Sequence, residues 1–230
     1  MLVARSADRL QRLADELAGL GADAEVLVAD LQSDQGMASV AERLQADRPR
    51  PVDVLVNNAG FGSIGSFSEL PVEGAVAEIT VNVVAVVRLC RSALPGMLHR
   101  RHGGILNVAS LAAFVPGAGM ANYSATKAFV LSLTEALREE TAGRGVRITA
   151  LCPGYTRTGF QQRAGVRAEG MPGFAWQDAA EVAAAGWAGF RQGTAVVVPG
   201  TLNKLSAAGV RFAPRPVVRK LAALSIRQLG

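Results

Sequence analysis

The stretch Val52-Asp53-Val54-Leu55-Val56-Asn57-Asn58-Ala59-Gly60 joins a short apolar run to polar and turn-forming residues. Such a run, about four to eight residues long and closed by Asn and Gly, is typical of a buried strand. Similar runs predict further strands near residues 1–4, 24–29, 104–109, 146–151 and 195–198. Helical patterns separate them. The alternation predicts an α/β fold: a doubly wound parallel sheet with helices on both faces.

The ends of the predicted strands carry the candidate functional residues. Ligands of parallel sheets bind in the crevice beyond the carboxyl ends of the strands. Polar or turn-forming residues follow five of the strands there: Arg5, Asp30, Asn57, Ser110 and Pro153. The sequence therefore predicts one crevice into which these residues converge. Ser33 and Asp178 precede helical patterns and are the expected N-caps of those helices.

Tyr123 and Lys127 are four residues apart on a predicted helix with one apolar stripe. This spacing places a phenol and an ammonium on one helical face, one turn apart. A neighbouring cation favours the phenolate, so we expect it to lower the pKa of Tyr123 toward values useful for general acid–base catalysis. The alternative from the pair alone is a solvated lysine beside a half-buried tyrosine.

A series of motifs in this chain, taken in sequence order, resembles the short-chain dehydrogenase/reductase family. The matching elements are Asp30, the NNAG tetrapeptide Asn57–Gly60, Asn82, Ser110, the YxxxK pair Tyr123 and Lys127, and the turn Pro153-Gly154 followed by Thr158. The resemblance runs from residue 1 to about residue 200 and implies a Rossmann-like catalytic domain over residues 1–200. Residues 201–230 follow it as a basic, amphipathic helical tail.

The resemblance implies a catalytic set of Asn82, Ser110, Tyr123 and Lys127. Tyr123 is expected to exchange a proton with the carbonyl or alcohol oxygen, and Ser110 to hydrogen-bond the same oxygen. Lys127 is expected to set the ionisation of Tyr123 and to bind the nicotinamide ribose, and Asn82 to help hold a water relay. From sequence alone, a satisfied polar group in a helix remains the alternative for Asn82.

The resemblance also implies a nicotinamide dinucleotide as cofactor and no metal. The expected cofactor contacts are Arg5, Asp30, Leu31, Asn57, Ala59, Gly60, Tyr123, Lys127, Pro153, Gly154 and Thr158. Arg5, rather than an acid, follows the first strand, and a guanidinium there could pair with a 2′-phosphate. We therefore expect NADP rather than NAD. Asp30 could instead cap the next helix, and Arg5 could be a solvated side chain.

One family element has no counterpart in this sequence. The family's first strand, its glycine-rich TGxxxGxG turn and the following helix should precede residues 1–5, which resemble the second strand. In the doubly wound order that strand is central, so its loss leaves two unpaired strand edges. Either Met1 is an internal residue of a longer polypeptide, or the chain begins there and another segment or subunit completes the sheet. Whether this chain can bind the cofactor depends on which of these two explanations is correct.

Gly60-Phe61-Gly62-Ser63-Ile64-Gly65 matches the pattern GxGxxG and follows an apolar strand. The dinucleotide fingerprint also requires a helix that starts at the glycines and an acid about 20 residues further on. Pro71 is better placed at the start of a later helix. We therefore interpret this segment as a loop beside the nicotinamide.

Composition favours a single globular domain, with 50% hydrophobic and 19% charged residues. The longest uncharged stretch contains Pro116 and several glycines, so it is not a predicted membrane span. Cys90 and Cys152 lie within apolar runs and are expected to be unpaired in a reducing compartment, which indicates a cytoplasmic location.

The sequence does not identify the substrate beyond a ketone or secondary alcohol. Between Tyr155 and Trp176, scattered apolar residues (Phe160, Met171 and Phe174) predict a cover over a partly apolar ligand. The tail holds six basic residues and no acid. It could pack as an ordinary terminal helix, contact a partner subunit in a homo-oligomer, or lie weakly on an anionic membrane surface. Scarce aromatic residues argue against nucleic-acid binding.

Two functions follow as alternatives. The first is an NADP-dependent oxidoreductase that interconverts ketones and secondary alcohols. The second is a non-catalytic binding or regulatory subunit that holds no dinucleotide, because the phosphate-binding turn is absent.

Overall fold

The computed structural model describes residues 1–46, 50–160, 164 and 173–226. Six strands lie where the sequence predicts them: β1 (Leu2–Ala4), β2 (Val26–Val28), β3 (Val54–Asn57), β4 (Gly104–Val108), β5 (Arg147–Leu151) and β6 (Val196–Val197). All observed pairings between them are parallel. The α/β class and the parallel, Rossmann-like arrangement predicted from the alternation are therefore confirmed.

Helices connect the strands and follow the last one. They are α1 (Ala7–Gly19), α2 (Asp34–Gln45), α3 (Val72–Ile79), α4 (Val86–Arg100), α5 (Ala121–Glu140), α6 (Ala179–Arg191), α7 (Thr201–Phe212) and α8 (Arg215–Ile226). The two predicted N-caps are confirmed. Ser33 accepts a hydrogen bond from the Gly36 amide at α2, and Asp178 accepts one from the Ala180 amide at α6. Each satisfies a backbone donor that the helix itself leaves unpaired.

The apolar core lies on both faces of the sheet, and two neighbouring residues of β4 contribute to opposite sides of it. Successive side chains of a strand point to opposite faces. Ile105 packs in the larger apolar cluster with residues of α2, α4 and α5, whereas Leu106 packs in a smaller cluster with Val182 and Phe190 of α6. The sheet is therefore covered by helices on both faces, as the sequence predicts.

The strands form two sheets rather than one. β1 pairs with β2, and a separate sheet has the order β3-β4-β5-β6. Both β1 and β3 line a cavity of about 960 Å³. Its walls include Val3, Val54 and Val56 of the strands, and its apolar floor is supplied by helices α2 and α4: Val40, Leu44 and Leu89. The gap expected for a chain without the central strand lies between β1 and β3.

Helices α3 and α4 are continuous, because a π-helical turn over Thr80–Ala85 joins them. A π-helical turn inserts one extra residue per turn and is frequent at functional sites. Asn82 lies inside this turn and is buried. The helix thus widens at a residue that the sequence places in the catalytic set.

A buried polar network links β3, β4 and α5 behind the site. The Asn57 amide nitrogen donates to Asn107 Oδ1 at 2.8 Å and also lies 3.3 Å from Cys90 Sγ. Asn107 in turn donates to Thr134 Oγ1 at 2.9 Å. Cys90 and Cys152 are buried free thiols, so the expectation that they are unpaired is confirmed. Within the described ranges, no helix has the length and apolar composition needed to cross a bilayer.

Candidate active site

Backbone hydrogen bonds on both sides of the predicted catalytic serine join the segments that follow β4 and β5. The Ala109 amide donates to the Leu151 carbonyl at 2.7 Å, and the Leu111 amide donates to the Pro153 carbonyl at 2.9 Å. Ser110 lies between these two bonds, and its hydroxyl accepts from the Ala112 amide at 3.1 Å. Two neighbouring strands therefore fix the Ser110 backbone at the sheet edge where ligands of this fold bind.

Tyr123 and Lys127 begin α5 on its buried face, with 8% and 5% of their surfaces exposed. The Lys127 ammonium donates to the Val108 carbonyl at 2.8 Å and lies 5.7 Å from the centre of the Tyr123 ring. The Ser110 side chain is in hydrogen-bonding range of Tyr123. The structure therefore brings Ser110, Tyr123 and Lys127 to one point. The alternative of a solvated lysine is wrong for Lys127.

Burial controls the ionisation of this pair. It raises the pKa of Tyr123 to about 12, although the hydrogen bond from Ser110 opposes the rise. It also lowers the pKa of Lys127 to about 8. The expected lowering of the pKa of Tyr123 is therefore wrong for this structure, because desolvation of the phenolate dominates and Lys127 is not among the groups that shift this pKa. The phenol is protonated at neutral pH.

The side chain of Asn82 is engaged by protein atoms. Its Oδ1 accepts from the Phe61 amide at 3.2 Å, and its Nδ2 donates to the Phe61 carbonyl at 2.8 Å and to Thr126 Oγ1 at 3.1 Å. These bonds hold the Gly60–Gly65 loop against the helix that carries Asn82, and they join that helix to Thr126 in the second turn of α5. The water relay expected at Asn82 stays a prediction. The hydrogen bonds of the Asn82 side chain are made to the loop and to Thr126.

The Gly60–Gly65 segment is a loop, as we interpret it from the sequence, and α3 begins later, at Val72 after Pro71. Its glycines let backbone approach the catalytic side chains. A Cβ on Gly60 would lie 2.9 Å from Asn82 Oδ1 and 3.4 Å from Lys127 Nζ. A Cβ on Gly62 would lie 2.7 Å from Cδ2 of Tyr123. Real Cβ atoms essentially never approach other heavy atoms to less than 3.0 Å, as those next to Asn82 Oδ1 and Tyr123 Cδ2 would, so the loop packs on the Tyr123 ring only because Gly60 and Gly62 lack side chains.

Sequence reasoning missed one buried group beside this site. Glu78 lies on α3, one turn before Asn82, and none of its surface is exposed. Its Oε2 accepts from the Ser63 amide at 3.0 Å. The signal that could have found it is an acid four residues before Asn82 on an otherwise apolar helical face.

Several expected cofactor contacts line the cavity between β1 and β3: Arg5, Asp30, Leu31, Asn57, Ala59 and Gly60. Arg5 is exposed to this space, while the Asp30 carboxylate accepts from the Gln32 amide at 2.9 Å. Ser33, not Asp30, caps the next helix. The Asn57 amide points into the buried network instead, so only the rest of that residue faces the cavity.

The expected contacts at the other end of the site follow β5. Gly154 packs so closely on Asn203 that a Cβ would lie 2.6 Å from its Nδ2. Asn203 donates to Gln177 Oε1 at 2.8 Å, which ties the start of α7 to this segment. Thr158 is exposed and its hydroxyl accepts from the Phe160 amide at 3.2 Å. α7 also packs on the turn that follows Ser110, so residues beyond 200 support the site.

The residues present fit a nicotinamide dinucleotide at its two ends. The cavity runs from Arg5 and Asp30 to Gly60, and Gly60 adjoins Lys127. The cation of Arg5 suits a phosphorylated ribose, and the carboxylate of Asp30 suits an adenine. At the other end, the backbone of Gly60 permits close approach of a flat ring. Along the described cavity wall, no glycine-rich turn opens a helix at the position expected for the pyrophosphate.

Part of the predicted cover lies over Tyr123. The Phe160 and Tyr123 rings are 5.4 Å apart and tilted by 49°. Trp176 lies 5.8 Å from the Tyr155 ring, whereas Phe174 is exposed. Met171 lies outside the described residues. Phe160 therefore supplies an apolar surface beside the phenol that any ligand of this site must displace or contact.

Comparison with known proteins identifies sequence relatives. The profile of the short chain dehydrogenase family matches residues 1–168. Oxidoreductase UcpA of Escherichia coli K12 is 35% identical over 150 residues, which is 65% of this chain and 57% of UcpA. The 3-oxoacyl-[acyl-carrier-protein] reductase FabG of Chlamydia pneumoniae is 30% identical over 151 residues, 66% of this chain and 60% of FabG. The matched region thus spans less than two thirds of these relatives.

Solved structures match more of the chain. A short-chain dehydrogenase from Sphingobium yanoikuyae in complex with NADPH has a TM-score of 0.82 and 34% identity, covering 90% of this chain and 82% of that one. The bulky-bulky ketone specific alcohol dehydrogenase from Comamonas testosteroni has a TM-score of 0.76 and 30% identity, covering 90% and 80%. These similarities support the same fold and a common ancestry.

We expect the free energy of unfolding to report the burial of Lys127. The pKa of Lys127 is about 8 in the folded protein against 10.5 ordinarily. Between these values the unfolded chain holds a proton that the folded protein has released, so Lys127 contributes a rise in stability with pH of about 2 to 3 kcal/mol. The buried Cys90, Cys152 and Tyr123 have raised pKa values and contribute a fall over the upper part of this range, which both proteins share. Urea unfolding across this pH range, followed by circular dichroism, should therefore show that the stability of the natural chain rises more, or falls less, with pH than that of Lys127→Met.

Lys204→Met is the matched control, because Lys204 is exposed on α7. It should keep the slope of the natural chain. Equal slopes in the natural chain and in Lys127→Met would contradict the buried position of Lys127.

Proposed function

Because the chain belongs to the short-chain dehydrogenase family, we propose that it is an oxidoreductase that transfers hydride between NADP(H) and a ketone or secondary alcohol. The observation that carries the proposal is the convergence of Ser110, Tyr123 and Lys127 at the carboxyl ends of β4 and β5. The NADPH complex and the ketone-specific enzyme among its structural relatives support this substrate class and this cofactor.

Tyr123 is the proposed proton donor for carbonyl reduction. Its phenol is protonated at neutral pH because burial raises its pKa to about 12. As hydride reaches the carbonyl carbon, negative charge develops on the oxygen, and a phenol in hydrogen-bonding range can transfer its proton there. In alcohol oxidation the same oxygen of Tyr123 accepts the proton. The bound nicotinamide supplies the hydride and, when oxidised, a positive charge that favours the phenolate.

Ser110 and Lys127 are proposed to support that transfer. The Ser110 hydroxyl, placed beside Tyr123, can donate to the substrate oxygen and stabilise its developing charge. Lys127 can alternate between its charged and neutral forms near its pKa of about 8. Its ammonium is anchored to Val108 and adjoins Gly60, so it can bind a ribose hydroxyl at the same time.

The preference for NADP rests on Arg5. Its guanidinium follows β1, is exposed to the cavity and lies at the end expected for the adenosine ribose. A guanidinium forms paired hydrogen bonds with a phosphate group, whereas an acid at this place would favour the two hydroxyls of NAD.

A non-catalytic binding subunit is the second candidate. It is favoured by the separation of the two sheets, and by the lack of a glycine-rich turn along the described wall of the cavity between them. A protein of this kind would keep the catalytic side chains without holding a dinucleotide.

We also propose that the protein forms a homo-oligomer through the outer face of the α3–α4 helix. Val72, Val76, Ile79 and Val87 are 40% to 65% exposed and lie along one side of this helix. An adjoining groove of about 660 Å³ contains Arg91 and Glu140 together with apolar residues. Opposite charges on one face can pair across a two-fold axis, which supports a second copy of the chain as the partner of this face.

Replacement of Tyr123 by Phe should remove turnover and spare cofactor binding. Loss of the acid is expected to lower kcat for ketone reduction by roughly 100-fold to 10,000-fold. NADPH affinity, measured by fluorescence titration, should change little, because the ring remains. An active Tyr123→Phe variant would disprove the assigned mechanism. Absence of saturable NADPH binding by the natural chain would favour the non-catalytic subunit.

Replacement of Arg5 by Glu should reverse the cofactor preference. A carboxylate repels the 2′-phosphate and can accept from ribose hydroxyls, so the ratio of kcat/KM for NADPH to that for NADH should fall roughly 10-fold to 100-fold. Arg9→Glu makes the same charge change on the exposed side of α1 and should leave the ratio unchanged. An unchanged ratio in Arg5→Glu would contradict the role of Arg5.

The oligomer predicts a mass change on substitution of Val76 by Asp. A charge buried at an apolar interface without a partner is unfavourable, so this variant should elute as a monomer in size-exclusion chromatography with light scattering. Leu20→Asp alters an equally apolar, exposed residue of a different surface and should keep the mass of the natural chain. A monomeric natural chain would contradict the proposed interface.

A further inference from the structure

Glu78 is a buried acid that the proposed reaction does not use. It lies in the last turn of α3, among the apolar residues of the sequence Val72-Glu73-Gly74-Ala75-Val76-Ala77-Glu78-Ile79, and none of its surface is exposed. Glutamate is almost never fully buried without a partner, because the loss of water from a carboxylate is costly. Its position therefore requires a physical explanation.

The two oxygens of Glu78 have unequal surroundings. Oε2 accepts from the Ser63 amide at 3.0 Å. Oε1 is buried, and among the described residues it has no hydrogen-bond partner. No arginine or lysine of the described part of the chain lies within salt-bridge distance of either oxygen. The side chains of Ser63 and Asn122 also favour the charged form of Glu78, but both are neutral, and burial costs a carboxylate far more than it costs a carboxylic acid.

We propose that Glu78 is a positioning residue that holds its proton and fastens the Gly60–Gly65 loop over the ring of Tyr123. As a role in catalysis this inference rests on the proposed function, since it concerns the proton donor of that reaction. The structural part of the inference, that a protonated carboxyl anchors the loop, holds even if the chain has no catalytic activity.

Glu78 and Asn82 hold the loop at two points. They are one turn apart on the same helical face, and Glu78 binds the Ser63 amide while Asn82 binds both backbone groups of Phe61. Gly62 lies between these points, in contact with the Tyr123 ring. A loop pinned on both sides of Gly62 keeps the ring in one position, as a proton donor requires.

The neutral form of Glu78 also suits the proton donor electrically. Burial raises the pKa of Glu78, while hydrogen bonds from Ser63 and Asn122 and the charge of Lys127 oppose the rise. A charge on Glu78 would raise the pKa of both Tyr123 and Lys127, which are the ionisable groups of α5 that interact with it. The Gly60–Gly65 loop itself contains no ionisable side chain. A protonated Glu78 therefore leaves the reactive pair free of an added negative charge.

Infrared difference spectroscopy of the full chain tests the protonation directly. At mildly acidic pH an exposed glutamate, with a pKa of about 4.3, is already ionised. The natural chain should then still show a carboxylic-acid C=O band, which Glu78→Gln should lack. Glu73→Gln, on the exposed side of the same helix, should keep the band. A spectrum of the natural chain without a band that depends on Glu78 would overturn the proposal.

Amide hydrogen exchange at Ser63 tests the anchor. Glu78→Gln retains a carbonyl oxygen that can accept from Ser63 and should preserve slow exchange. Glu78→Leu fills similar space without an acceptor and should speed exchange at Ser63 by roughly tenfold or more, while amides of β4 remain protected. Equal exchange in the Leu variant and the natural chain would contradict the anchor. If the Leu variant does not fold, slow exchange retained in Glu78→Gln supports the anchor, and fast exchange there contradicts it.

Turnover separates this inference from the proposed function. In an active chain, Glu78→Leu should lower kcat for ketone reduction by roughly tenfold or more with little change in KM for NADPH, and Glu78→Gln should recover most of that loss. If Glu78→Gln recovers no more than Glu78→Leu, the positioning role is wrong. A natural chain without turnover, but with the infrared band and the protected Ser63 amide, would contradict the proposed function and support the role of Glu78.

Discussion

The arrangement of the site depends on the burial of Tyr123 and Lys127 on one face of α5. A buried ammonium requires a strong acceptor, and the structure supplies one in the Val108 carbonyl at the end of β4. That bond fixes the helix against the strand that Ser110 follows, so the phenol, the amine and the serine hydroxyl meet. Burial also sets their protonation states, because it disfavours the charged form of each group.

Two structural supports hold this buried pair from opposite sides. On one side, bonds from Ala109 and Leu111 to the end of β5 fix the serine. On the other side, the long helix with its π-helical turn presents Glu78 and Asn82 to the Gly60–Gly65 loop, which covers the Tyr123 ring. Both supports are built from backbone groups and buried polar side chains, so they tolerate little displacement.

Much of the fold and part of the site could be predicted from local patterns. Apolar runs located all six strands, and the four-residue spacing placed Tyr123 and Lys127 on one face. The rest depended on packing between distant segments. The sequence cannot show that the Asn57 amide turns into a buried network, nor that Asn82 binds Phe61, because both partners are set by tertiary contacts. The pKa of Tyr123 was predicted in the wrong direction, because helical spacing reveals the neighbouring charge and not the extent of desolvation.

The most direct test of this account is the ionisation of Lys127. The chain has three lysines, Lys127, Lys204 and Lys220, so carbon-13 labelling at the lysine ε position gives few signals, and Lys127→Met assigns one of them. A titration followed by nuclear magnetic resonance should show that signal changing at about pH 8. A Lys127 signal that changes only near the ordinary value of 10.5 would show that Lys127 is exposed to solvent and would contradict the account.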